Sequence, residues 1–93
     1  MPFKYDFSDD LESTLSKLLK KDRKCYEILL KKIEEISNCD EATIGHFKNL
    51  RHGLSEYKRV HITKSFVLLF KVFKNEKFIL FDKFKHHDEA YVR

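Results

Sequence analysis

The residues of this sequence best suited to acid–base chemistry are its five histidines, all of which lie between residues 44 and 93. They are densest towards the end of the sequence, where Lys85, His86 and His87 are consecutive and Tyr91 stands four residues after His87. Imidazole titrates near neutral pH and can therefore accept or donate a proton under physiological conditions. Because a phenol, carboxylates and ammonium groups accompany these imidazoles, the pattern indicates proton transfer on a phosphate substrate.

The charge of the chain is distributed unevenly, and the histidines lie in its basic part. Residues 1–43 contain eight Lys and Arg against ten Asp and Glu, whereas residues 44–93 contain eleven against five, which gives formal charges of −2 and +6. A small domain with one electropositive surface attracts polyanions, of which nucleic acid is the most common in a cell. Lys-rich surfaces also occur simply because they are soluble, and charge alone does not separate these two interpretations.

Length and composition predict one small domain that spans residues 1–93 and buries its own core. A hydrophobic content of 42% with two Gly and one Pro argues against long linkers or disorder. No signal peptide or transmembrane run is apparent, so we expect a cytoplasmic protein without a membrane partner. An active site in so small a domain must be a surface groove.

The two cysteines do not form a metal-binding pattern. Cys25 and Cys39 are fourteen residues apart, and the histidines lack the regular spacing that Cys/His metal sites show. We therefore expect reduced thiols, no metal and no small-molecule cofactor. Cys25 is expected to fill space in the core.

The first part of the chain predicts a strand followed by two helices. Residues 3–7 alternate apolar and polar, Ser8 is a suitable N-cap, and leucines at helical spacing predict a helix that runs to about Lys20. Asp22 is a suitable cap for a second amphipathic helix, and so short a break makes the pair an antiparallel hairpin. Residues 38–53 are predicted to be the extended irregular stretch.

The second part predicts an antiparallel meander of three strands, at residues 57–63, 66–74 and 77–84. In the first of these strands Val60 and Ile62 share one face, so Arg59 and His61 are expected to point to the open face of the sheet. Residues 66–70 are apolar on both faces, which favours a central position. The fold class is therefore α+β, with one sheet packed on the helical hairpin.

This order of elements, ending in a tail with His and Tyr, resembles the RelE/YoeB/YafQ family of toxins from type II toxin–antitoxin systems. The specific pieces are residues 57–62 followed by 66–72, which look like the central hairpin of the family, and residues 87–91, where a histidine and an aromatic stand as in YafQ-like members. The resemblance covers essentially the whole chain. It implies a RelE-like fold with the N-terminal strand in the same sheet as the meander.

The resemblance also implies a function and a set of site residues. Family members cleave messenger RNA in the ribosomal A site and are held inactive by a cognate antitoxin. His61 and His87 match the histidines to which YafQ-like toxins assign catalysis, and Tyr91 matches the terminal aromatic that holds the substrate. Arg59 and Lys85 are looser matches to basic catalytic residues. The RNA-binding residues expected in addition are Lys58, Lys64, Ser65, Lys71, Lys83 and His86.

Metal-independent RNA cleavage lets the ribose 2′-hydroxyl attack the adjacent phosphate, which requires a base, an acid for the departing 5′-oxygen and a cation near the phosphorane. His61 and His87 can act as base and acid, in an order that the sequence does not assign. Arg59, Lys58 and Lys85 can supply the positive field. Tyr91 can stack on a nucleobase or donate to a phosphate oxygen.

Two departures from the family pattern keep other functions open. Val67 stands where RelE-like members have an arginine, and Ser65 stands where YafQ-like members have a carboxylate. The related ParE branch shares this architecture and poisons DNA gyrase, so a gyrase inhibitor is one alternative and a non-catalytic RNA-binding module is another. His61 can equally be a plain exposed polar residue, and Lys71 and Lys83 can simply solvate the sheet.

Overall fold

The computed structural model of the chain describes residues 3–47 and 57–86. Its elements, in chain order, are β1 (Lys4–Phe7), α1 (Asp9–Lys21), α2 (Arg23–Ser37), α3 (Glu41–Ile44), β2 (Lys58–His61), β3 (Phe66–Phe73) and β4 (Phe78–His86). None of the helices in these described residues is both long and apolar enough to cross a membrane.

The strands form one sheet in the order β1-β4-β3-β2. Strand β1 runs parallel to β4, and β3 runs antiparallel to both β4 and β2. The N-terminal strand therefore joins the meander, and the apolar strand β3 lies in the interior of the sheet. Both predictions are confirmed, as is the α+β fold class.

Two polar side chains define the helical hairpin. Ser8 caps α1, since its Oγ accepts a hydrogen bond from the backbone N–H of Leu11 at 3.1 Å. Asp22 separates the helices, and its carboxylate accepts from the backbone N–H of Cys25 at 3.1 Å, which caps α2. These are the caps that the sequence predicted. Helix α1 ends at Lys21, one residue later than expected.

The main core lies between the helical hairpin and one face of the sheet. Leu11 of α1 and Leu29 of α2 are fully buried there, and they pack in one cluster with Phe70 and Phe81 of the two central strands. Full burial of such side chains contributes roughly 1.5–3 kcal/mol each. The other buried members of the cluster are Phe3, Leu15, Ile33, Ile36, Ile44, Leu68 and Ile79.

The prediction of an irregular stretch over residues 38–53 was wrong for its first part, because α3 forms there. Asp40 caps this short helix by accepting from the backbone N–H of Thr43 at 2.7 Å, and Ile44 is buried in the core. Residues 48–53 of that stretch lie outside the described residues. Strand β2 is shorter than predicted, ending at His61, and β4 extends two residues beyond the predicted end.

A β-bulge in the middle of β4 changes which residues face the helices. Phe81 is the register partner of Phe70, but Lys83 is the partner of Leu69, so Asp82 is an inserted residue. With strict alternation Phe84 would point away from the core and Lys83 towards it. The bulge reverses this, because Phe84 packs against the main core while Lys83 lies opposite Leu69 on the other side of the sheet.

The sheet therefore has two faces that differ in composition. We call the side packed on α1 and α2 the helix face; it includes Lys58, Val60, Leu68, Phe70 and Phe81. We call the opposite side the outer face. Its residues on the last three strands and next to them are Tyr57, Arg59, His61, Val67, Leu69, Lys71, Leu80, Asp82, Lys83 and Lys85.

Candidate nucleic-acid interface

Two rows of side chains cross the outer face. Residues that are register partners on adjacent antiparallel strands point to the same face of a sheet. Arg59, Leu69 and Lys83 are partners in one row, and His61 and Lys85 flank Val67 in the next row. Each row places a β2 residue and a β4 residue two inter-strand spacings apart, or roughly 10 Å between Cα atoms. The structure thus brings together Arg59, His61 and Lys85.

The middle of each row is apolar and buried. Val67 is fully buried and Leu69 is 4% exposed, although both lie on the side away from the helices. They form a second small cluster, against which Tyr57 packs. Because Val67 and Leu69 are buried and packed, the cations on either side of this cluster lie on a well-ordered part of the sheet.

Tyr57 and Asp82 join the two sides of the outer face. The Tyr57 hydroxyl donates a hydrogen bond to Asp82 Oδ2 at 2.6 Å, across the intervening strand β3. The Lys71 ammonium nitrogen lies 4.8 Å from the centre of the Tyr57 ring, within the range of a cation–π contact. The sequence reasoning missed Asp82 as a site residue. The available signal was the spacing of the apolar residues at 79, 81 and 84, which indicates a residue inserted into the alternation.

Lys83 is held at the edge of the outer face by α1. Its ammonium nitrogen lies 2.7 Å from Asp10 Oδ2. This hydrogen bond and the positive charge of Lys83 hold the pKa of the Asp10 carboxyl below its ordinary value, and the same hydrogen bond raises the pKa of Lys83. A phosphate that binds Lys83 must therefore share it with Asp10.

Lys58 and His86, two of the predicted RNA-binding residues, lie on the helix face. Lys58 is the register partner of Phe70, and its ammonium nitrogen donates to the carbonyl oxygen of Phe47 at 3.2 Å. Burial lowers the pKa of Lys58, and the nearby charge of Lys74 adds to the effect. His86 is the partner of Phe66 and meets that ring edge-to-face with 5.5 Å between centroids. The structure does not bring these two side chains together with His61.

The remaining predicted residues lie at one end of the sheet or outside the described residues. Lys64 and Ser65 are exposed in the turn between β2 and β3, which places them beyond the row that contains His61. His87 and Tyr91 lie outside the described residues, and their predicted roles stay predictions.

The structure gives no metal ligand set in the described ranges. Within residues 3–47 and 57–86, no three His, Cys, Asp or Glu side chains are close enough together to hold a metal ion. Cys25 is buried as predicted, and burial raises the pKa of its thiol, which lowers its thiolate fraction at neutral pH. The chemistry available on the outer face is therefore that of cations, imidazole, a phenol and a carboxylate.

Comparison with known proteins identifies the family. No model of a protein family matches the chain. A protein of Methanocaldococcus jannaschii with the name "Putative toxin RelE4" is 45% identical over 91 residues, which cover 98% of this chain and 93% of that protein.

Solved structures share the fold at low sequence identity. A chain of the toxin–antitoxin complex RelBE2 from Mycobacterium tuberculosis has a TM-score of 0.63 at 18% identity, covering 94% of this chain and 93% of that chain. YafQ from Escherichia coli has a TM-score of 0.62 at 13% identity, covering 97% and 99%.

A strand, a helical hairpin and a meander with a basic outer face make a small α+β domain. The identity to the archaeal relative over nearly the whole of both chains decides the family. The chain belongs to the RelE family, the toxins of toxin–antitoxin systems. The resemblance drawn from residues 57–62, 66–72 and 87–91 is confirmed at the level of the family and its fold.

Proposed function

We propose that this toxin is a ribosome-dependent mRNA endonuclease that stops translation in the cytoplasm by cutting messenger RNA in the ribosomal A site. The proposal rests on the arrangement of side chains on the outer face. Arg59, His61 and Lys85 stand around the buried residues Val67 and Leu69, which combines a titratable imidazole with cations on a rigid platform. Such a combination suits a phosphodiester substrate, since the cations attract the phosphate and the imidazole moves a proton.

The proposed reaction uses the ribose 2′-hydroxyl as the nucleophile. A base removes its proton, its oxygen attacks the adjacent phosphorus, and an acid protonates the 5′-oxygen as the P–O bond to it breaks. His61 and His87 take the roles of base and acid, and Tyr91 holds the substrate. Arg59 and Lys85 stabilise the negative charge that builds up on the phosphorane oxygens. The reaction requires no metal ion or cofactor.

We also propose that a cognate antitoxin neutralises the outer face. The RelBE2 relative was solved as a toxin–antitoxin complex, which supports such a partner. An acidic amphipathic helix has the charge to compete with RNA for Arg59, Lys83 and Lys85. The binding of the protein encoded next to this gene, measured by calorimetry, should therefore weaken when Arg59 and Lys85 are replaced by Gln.

A translation reaction in vitro tests the proposed function. Purified toxin is added to programmed ribosomes, and the 5′ ends of the cut messenger RNA are mapped by primer extension. We expect cuts at the codon in the A site and none in naked RNA at the same toxin concentration. Uncut messenger RNA together with loss of supercoiling in a gyrase assay would instead assign ParE-like action. Uncut RNA with normal gyrase activity would instead indicate a protein that binds RNA without cutting it.

A further inference from the structure

Asp82 is an unfavourable residue for a face that binds a polyanion. It is the one acidic residue within β2, β3 and β4, and on the outer face it stands among Arg59, Lys71, Lys83 and Lys85. Each negative charge on a nucleic-acid interface subtracts from the attraction that the cations provide. A carboxylate at this position therefore needs a structural role that compensates for the weaker attraction to RNA.

The contacts of Asp82 indicate that its role is to hold the side chain of Tyr57. The hydrogen bond from the Tyr57 hydroxyl has an oxygen–oxygen distance of 2.6 Å, in the range of strong bonds to ionised carboxylates. Both groups are partly buried, which limits competition from water. Since Tyr57 precedes β2 and Asp82 lies in β4, the bond spans β3 and fixes the direction of the ring over the buried cluster of Val67 and Leu69.

The bulge in β4 places Lys83 beside Asp82 on the outer face. An inserted residue breaks the regular ladder and is found where a strand must redirect a side chain. Here it lets the consecutive residues Asp82 and Lys83 serve the outer face together, with Asp82 reaching inward to Tyr57 and Lys83 reaching the opposite way to Asp10. The cap of α1 stabilises the bulge, because the Ser8 hydroxyl donates to the Asp82 carbonyl oxygen at 2.5 Å.

The Tyr57 ring, which its hydrogen bond to Asp82 holds in place, is in turn contacted by the ammonium group of Lys71. The Lys71 ammonium nitrogen lies 4.8 Å from the ring centre of Tyr57. A lysine side chain that is partly exposed can sample many rotamers, and contact with a hydrogen-bonded ring reduces this freedom before any ligand binds. An ammonium group held in this way meets a phosphate without losing further conformational entropy.

We propose that Asp82 and Tyr57 are positioning residues, in which the carboxylate fixes the ring across β3 and the ring holds the Lys71 ammonium for contact with an RNA phosphate. This rests on the proposed function in so far as the outer face binds RNA. Neither residue reacts; Lys71 is the group that touches the substrate. The pair thus places one phosphate contact two rows away from His61 along the strands, or roughly 13 Å, which sets the register of the RNA on the face.

The first test separates positioning from charge and from stability. Tyr57→Phe keeps the ring but removes its hydrogen bond, and Asp82→Asn keeps the shape but removes the charge. With ribosomes in excess, each should lower the single-turnover cleavage rate by about tenfold, the scale of one charge-assisted hydrogen bond. The double variant should be no slower than either single variant, since both break one interaction. Because Asp82→Asn also removes a negative charge, its half-saturating ribosome concentration should stay the same or fall.

Three outcomes of this test would overturn the proposal. One is tighter ribosome binding by Asp82→Asn at an unchanged rate, which would mean that the carboxylate acts only through its charge. Another is a rate that follows the folded fraction, with lower thermal midpoints that account for the whole loss. The third is additive losses in the double variant, which would mean that the two residues act separately.

The second test does not depend on cleavage, so it separates this proposal from the proposed function. Binding of a short single-stranded RNA is followed as a function of salt concentration. Lys71→Gln should reduce the slope of log affinity against log salt by about one in the otherwise native protein, and by clearly less in the Asp82→Asn background. The matched control Lys20→Gln, on the exposed end of α1, should leave the slope unchanged. If Lys71→Gln reduced the slope equally in both backgrounds, the positioning role of Asp82 and Tyr57 would be overturned, even if the native protein cuts no RNA.

Discussion

The two faces of the sheet are built by the same strands yet differ in nearly every property. In the part of the chain that the structure describes, the helix face buries Phe70 and Phe81 completely against α1 and α2 and has Lys58 at its border. The outer face buries Val67 and Leu69 and surrounds this pair with charged and titratable groups. Alternate residues of one strand therefore lie in different environments: a buried core on one side and a charged surface on the other.

Because of this difference, we expect substitutions on the two faces to have different effects: loss of stability on the helix face, and changed binding or rate on the outer face. A large apolar side chain removed from the helix face leaves a cavity that no neighbour fills, so the free energy of unfolding falls. A charged side chain removed from the outer face leaves solvent in its place and changes binding or rate instead.

Truncation of the core should be the most damaging change. Leu29→Ala, at a position that is 0% exposed, should lower the free energy of unfolding by about 2–5 kcal/mol. Leu19→Ala, at a position that is 43% exposed, is the matched control and should cost about 0.5 kcal/mol or less. Urea denaturation measures both. Equal losses would show that the core between the helices and the helix face does not hold the fold together as described.

Removal of an imidazole should affect the rate on one face only. We expect His61→Ala to lower the single-turnover cleavage rate by about 100-fold, the usual scale for a proton-transfer group, with little change in stability. The control is His86→Ala, since His86 lies on the helix face beside Phe66. Its rate should remain within about threefold of the native rate. A larger loss for His86 than for His61 would reverse the assignment of the two faces.

The N-caps of α1 and α2 can be compared with each other. Ser8→Ala and Asp22→Ala each remove an N-cap, and the loss of either cap should lower the free energy of unfolding by about 1 kcal/mol. Only Ser8 also donates to the carbonyl of the bulge residue Asp82. Cleavage per folded molecule should therefore fall for Ser8→Ala and not for Asp22→Ala. The same residual activity in both variants would indicate that the bulge does not depend on Ser8.

The smallest expected effect concerns the ion pair between Asp10 and Lys83. Because the pKa of Asp10 is lowered from its ordinary value of 3.8, the pair stabilises the fold above that pH and ceases to do so as the pH falls through the lowered pKa. Since solvent reaches both side chains, Asp10→Asn should lower the thermal midpoint only slightly at pH 7, and the difference should shrink as the pH falls below 3.8. Asp9→Asn, also in the first turn of α1, controls for the helix dipole.

The sequence was sufficient for the parts of the fold that follow from local patterns. Caps at Ser8 and Asp22, helical spacing of leucines and alternation in the meander each depend on near neighbours, and each was confirmed. Arg59 and His61 were placed on the correct face because Val60 between them is apolar. The short helix α3 was missed because four residues are too few to show a period.

The candidate site was less predictable because it depends on contacts between distant strands. The Tyr57–Asp82 bond joins residues 25 positions apart in the chain, on either side of strand β3. The bulge at Asp82 decides that Lys85 lies on the outer face and His86 on the helix face. Strict alternation from Phe81 onward would have given the opposite placement, so a single inserted residue decides the composition of the site.

One substitution in the substrate tests whether the outer face cleaves RNA by means of the 2′-hydroxyl of the RNA. A messenger RNA that carries a single 2′-deoxynucleotide at the scissile position is placed in the A site, and its cleavage is compared with that of the unmodified message. Because only the nucleophile is lost, we expect cleavage at that position to disappear while toxin still binds the ribosome. Cleavage of the deoxy message at the normal rate would contradict the account.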